Sequence, residues 1–96
     1  MAIDFKFNGA AFKHGVSKVD ILWAFNNYVY DGLIERGENE CDDKHLLIGH
    51  DIDANLLEII YNIIDEDTYN VFHAMKCRSA YKHLLNAGGK NDRGRS

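Results

Sequence analysis

Between Phe72 and Leu85 the chain reads Phe-His-Ala-Met-Lys-Cys-Arg-Ser-Ala-Tyr-Lys-His-Leu-Leu, which places His73, Lys76, Arg78, Tyr81 and Lys82 within ten residues. These side chains suit work on a phosphate. RNA cleavage by internal transesterification needs a base for the 2′-hydroxyl proton, cations for the charged phosphorane, and an acid for the leaving 5′-oxygen. Histidine titrates near neutrality and can serve as acid or base. Arginine matches a phosphate bidentately and stays charged. His73, Arg78 and Tyr81 are therefore the candidate catalytic residues, with Lys76 and Lys82 as RNA-backbone ligands. The same types also fit a strand histidine satisfied by backbone and a tyrosine packed in the core.

Charge sets this segment apart. The chain of 96 residues carries a formal net charge of −4, unevenly spread. Residues 1–72 hold five Lys/Arg and 14 Asp/Glu, and residues 73–96 hold six Lys/Arg and one Asp. A basic end on an acidic body suggests a nucleic-acid face, an acidic partner, or complementarity between the two ends.

Other candidates are weaker. His14, His45, His50, His73 and His83 contain no H-x3-H pair on one helix, and Cys41 and Cys77 form no C-x2-C. Asp51-x-Asp53-x-Asn55 imitates a calcium loop, but Leu56 and Asn62 stand where that loop wants Gly and Glu, so a hairpin turn is the better reading. No metal or cofactor is expected. No apolar run approaches the ~18 residues of a membrane span and no leader pattern opens the chain, so a cytoplasmic protein with reduced thiols is expected.

Positioning these residues requires a small α+β domain. Phe5 and Phe7 alternate as in a strand, whereas Phe12 and Val16 suit a short helix closed at Gly15. Ser17 with Asp20 three residues on resembles a capping box and predicts a helix over 18–26, with Val19, Leu22, Trp23 and Phe25 as its core stripe. Strands are expected at 28–34, 46–48, 56–64 and 69–75, with 35–43 a solvated acidic loop. The run 56–64 is apolar on both faces apart from Glu58 and Asn62, as a central strand would be. Short turns argue for an antiparallel meander. Strict alternation puts Tyr69, Val71, His73 and Met75 on one face of the last strand, opposite Phe72 and Ala74. Residues 77–86 read as a closing helix with Arg78, Tyr81 and Lys82 on one surface. The expected architecture is one or two N-terminal helices, a four-stranded antiparallel sheet and a C-terminal helix, forming one domain over 1–87 followed by a flexible basic tail, 88–96.

Lys13-His-Gly-Val-Ser17, Leu46-Leu-Ile-Gly49 followed by Leu56-Leu57 and the apolar run to Tyr61, and the strand-to-helix joint Val71-Phe-His-Ala-Met-Lys76 together resemble segments of the BrnT-type toxins of bacterial type II toxin–antitoxin systems. The resemblance spans about residues 5–86. It implies a RelE-like fold, mRNA cleavage free or on the ribosome, a cognate antitoxin that neutralises the toxin, and promoter DNA bound only through the antitoxin complex. Lys76 matches a lysine of the family pattern, whereas His73 stands where that pattern has Ser, Met75 where it has Arg, and Tyr81 where Glu is common. A non-catalytic protein-interaction or nucleic-acid-binding module of the same fold is the alternative.

Overall fold

The computed structural model describes residues 3–92, with side chains to residue 85. Ser17 starts the first helix as its chemistry suggests. Its Oγ accepts from the Asp20 amide and donates to Asp20 Oδ2, both at 3.2 Å, a reciprocal cap with Asp in place of the usual Glu. Gly15, at φ +82°, supplies the left-handed turn just before it. The elements that follow from such local choices are β1 (Asp4–Phe7), a 3-10 turn (Gly9–Phe12), α1 (Lys18–Asn26), β2 (Tyr28–Glu35), a second 3-10 turn (Glu40–Asp42), β3 (Lys44–His50), β4 (Leu56–Asp65), β5 (Thr68–Lys76) and α2 (Ser79–Asp92).

The sheet has five strands in the order β1-β5-β4-β3-β2. β2 through β5 form the expected antiparallel meander. The sheet as a whole is mixed rather than four-stranded antiparallel, because β1 pairs parallel to β5. Phe5 and Phe7 hold it there: Phe5 sits 4.9 Å from Phe25 and 5.8 Å from Tyr69, centroid to centroid. The loop 36–43 is also more structured than a solvated segment. Asp43 is buried, accepts from the Gly37 amide at 2.8 Å, and its carbonyl accepts from Asn62 Nδ2 at 2.8 Å. The hairpin turn at Asp51 holds, with Asp51 Oδ1 accepting from the Asp53 and Asn55 amides at 2.9 and 2.8 Å. Although burial raises the Asp51 pKa, these bonds overcome it and leave the carboxyl below its ordinary value.

One face of the sheet packs Leu47, Leu57, Ile59, Tyr61, Val71 and Ala74 against α1. The other packs Leu46, Ile48 and Ile60 against Tyr81, Leu84 and Leu85 of α2. The buried stripe of α1 is Ile21, Ala24 and Phe25, not Val19, Leu22, Trp23 and Phe25, since Val19 and Trp23 are exposed. A nine-residue helix with apolar residues on most sides leaves its inward face to the tertiary fit. α2 begins two residues later than the pattern suggests and runs to Asp92, into the segment read as tail; residues 93–96 lie outside the described residues.

α1 lies against β3 at Gly49, where an added Cβ would overlap the Ala24 carbonyl oxygen. Neither backbone can yield without shifting the helix. Gly49→Ala is therefore expected to lose about 1–3 kcal/mol by overpacking, read as a lower urea midpoint, and an unchanged midpoint would mean α1 is free to lift.

Candidate active site around a buried glutamate

The local cause of the site is a bulge in β5. Ile60 pairs with His73, yet its neighbour Tyr61 pairs with Val71, so Phe72 has no partner on β4. An inserted residue interrupts the alternation. Val71 and Ala74 consequently both enter the α1-side core, while His73 turns to the α2 side with Met75, which pairs with Glu58. The expected sharing of one face by Tyr69, Val71, His73 and Met75 is thus corrected: Tyr69 and Val71 belong to the α1 side.

On the α2 side lies Glu58, a carboxylate with 0% exposure in the middle of an apolar strand. Burying it in its charged form costs several kcal/mol unless it is paired and hydrogen-bonded. The strand-to-helix joint does both. Arg78 donates from its backbone amide at 2.9 Å to Oε1, from Nε at 3.1 Å to each oxygen, and from Nη2 at 2.6 Å to Oε2. His73 Nε2 lies 2.8 Å from Oε2. Burial pushes the Glu58 pKa up, but these donors outweigh it and hold the carboxyl below its ordinary value. The Arg78 guanidinium is raised in turn by its bonds to Glu58. An ionised carboxylate only accepts, so His73 Nε2 is the donor to Oε2, and this bond sets the orientation of the ring.

Two further groups complete the cluster. The guanidinium of Arg78 lies 5.6 Å from the centroid of the Tyr81 ring, and the ring itself packs against Leu46, Ile48 and Cys77. Burial pushes the Cys77 thiol up, which suits a core residue better than a nucleophile. His14, from the Lys-His-Gly-Val-Ser segment, sets its ring edge-on to His73 with centroids 5.7 Å apart. His73 is partly exposed and Arg78 half-exposed, at 22% and 52% of their side chains. Arg78 Nη1 makes no hydrogen bond among the described residues, so its N–H groups remain available to an anion.

Of the candidate residues, His73, Arg78 and Tyr81 meet at Glu58 and its rim. Lys76 and Lys82 are exposed and make no ion pair among the described residues. Lys76 acts instead as a positive neighbour of Asp51. Glu58 and His14 are the members that residue types and spacing passed over. The signal for Glu58 was there: a lone glutamate in a strand apolar on both faces must find a donor.

The lowered Glu58 pKa fixes a sign. A carboxyl held below its unfolded value stabilises the fold above that value, about pH 4.3 for glutamate, and the contribution disappears as pH falls through the folded value. The stability difference between wild type and Glu58→Gln, measured by urea denaturation, should therefore be largest near neutrality and shrink as pH drops below ~4. A difference independent of pH would show that Glu58 is not ionised in the fold.

Among the described residues no helix is long and apolar enough to cross a membrane. No protein-family model matches the chain, and no curated protein or solved structure matches it either.

Proposed function

We propose that this chain is a small endoribonuclease of RelE-like fold that acts on mRNA as the toxin of a type II toxin–antitoxin pair and is neutralised by a cognate antitoxin. The observation that carries the reading is the orientation of His73 by a fully buried, charged Glu58, beside Arg78 and a second imidazole, His14. In this mechanism His73 Nδ1 takes the proton of the ribose 2′-hydroxyl as the 2′-oxygen bonds to phosphorus. His14 delivers a proton to the 5′-oxygen as the P–O5′ bond breaks. The products are a 2′,3′-cyclic phosphate and a 5′-hydroxyl end. Glu58 stabilises the imidazolium that forms on His73, and Arg78 Nη1 faces the phosphorane charge. Lys76 and Lys82 neutralise flanking phosphates.

A second reading has its own observation. Arg78 directs Nε, Nη2 and its backbone amide to Glu58, which is what a clasp fastening α2 to the sheet would do in a non-catalytic interaction module of the same fold. Tightly induced expression in a bacterial host separates the two. Growth arrest with new 5′-hydroxyl RNA ends in wild type but not in His73→Gln supports the ribonuclease. Normal growth and intact RNA with both soluble, folded proteins favours the interaction module.

A further inference from the structure

The α2 side of the sheet is apolar where the helix covers it and polar beyond. Lys6 on β1 pairs with Asn70 on β5, Asn70 pairs with Asn62 on β4, and Lys44 on β3 pairs with Glu35 on β2. Since His45 pairs with Tyr61, Lys44 stands in the same row as Asn62. A rung of Lys-Asn-Asn-Lys thus crosses four strands. It lies two residues along β4 from Ile60, the partner of His73, or roughly 7 Å at strand rise. The groove there, of about 560 Å³, is lined by Asn8, Lys44, Asn62, Asn70 and Phe72, with Asp42 at its acidic margin. Phe72 is the residue that the bulge leaves unpaired.

We propose that this groove is a single-stranded RNA subsite, resting on the ribonuclease reading, which holds the nucleotide next to the one whose phosphate meets His73. Asparagine amides present paired donor and acceptor groups of the kind that read a base edge. Asn70 makes no side-chain hydrogen bond among the described residues, so its amide is uncommitted. Asn62 gives one N–H to the Asp43 carbonyl at 2.8 Å, which fixes its orientation and leaves its oxygen free to accept. Phe72 offers an aromatic surface for stacking. Among the described residues Lys44 pairs with the exposed Glu35, at 3.6 Å, and such a surface pair yields readily to a phosphate. The groove lies beside the candidate site, since Phe72 of its lining directly precedes His73. Single-stranded RNA is the occupant that uses amides, ring and lysines together.

The test is binding of a short 2′-O-methyl oligoribonucleotide, which cannot be cleaved, followed by fluorescence anisotropy at several salt concentrations. Asn70→Ala should weaken binding about tenfold and flatten the preference among bases. Lys6→Ala/Lys44→Ala should lower the slope of log K against log salt by about 0.7 per lysine removed. If the wild type cleaves RNA but these variants bind with unaltered affinity, base preference and salt slope, the subsite is wrong and the ribonuclease reading stands. A wild type that neither binds nor cleaves overturns both.

Discussion

Arg78→Met alone is expected to lower the melting temperature by roughly 12 °C or more, whereas Glu58→Leu/Arg78→Met should restore it to within a few degrees of wild type. The single substitution strands a carboxylate that has 0% exposure. An uncompensated buried charge costs about 3 kcal/mol or more, and in a domain of this size each kcal/mol moves the melting temperature by about 4–8 °C. Glu58 then keeps His73 Nε2 and the backbone amide of residue 78 as donors but loses its one permanent positive charge among the described residues. Replacing carboxylate and guanidinium together removes the desolvation along with the attraction, and apolar replacements of buried ion pairs are often neutral or better. Leu46, Ile48, Ile60 and Tyr81 are the surroundings a leucine at 58 would join. Thermal melts of wild type, both single variants and the double variant supply the cycle. A fully stable Arg78→Met would mean that Glu58 protonates or hydrates at no cost, and the clasp would fail as an account of how α2 is held. A His73→Ala/Arg78→Ala variant would not separate catalysis from folding, because it takes both side-chain partners from Glu58.

Local chemistry that acts over a few residues was legible in the chain. The Ser17–Asp20 cap and the Asp51 turn are each made by side chains reaching backbone within four residues, and the apolar run at 56–65 is the central strand it resembles. The strand-like alternation of Phe5 and Phe7 gave no place in the sheet, because the partner of β1 is β5, far along the chain, and parallel pairing leaves no turn between them. The faces of β5 were misread for a different reason. A bulge at Phe72 shifts the register by one, and no residue type announces that shift. At the site, His73, Arg78 and Tyr81 were visible as a cluster because the joint is short. Glu58 and His14 come from other elements, and only the fold brings them in.

His73→Gln is the variant that isolates chemistry from folding. Glutamine places an N–H where His73 Nε2 now donates to Glu58 Oε2 at 2.8 Å, so the carboxylate keeps its donor and Arg78 keeps its seat. What disappears is Nδ1, the nitrogen assigned to the 2′-hydroxyl proton. Under the ribonuclease reading, cleavage of a single-stranded RNA should fall by roughly 10²- to 10⁴-fold, the usual worth of a positioned general base, while the melting temperature stays within a few degrees. His14→Ala should cut the rate over a similar range, and combining the two should cost less than the product of their separate effects, because acid and base act in one transition state. His14 is exposed and makes no hydrogen bond to the Glu58 cluster, so its removal leaves the clasp intact. Single-turnover assays at saturating protein, with the 2′,3′-cyclic phosphate as the product scored, give the rate of the chemical step. His73→Gln cleaving at the wild-type rate would remove His73 from catalysis and leave the buried triad a device for fastening a helix. A large rate loss at unchanged stability is the one result that a purely structural triad does not produce.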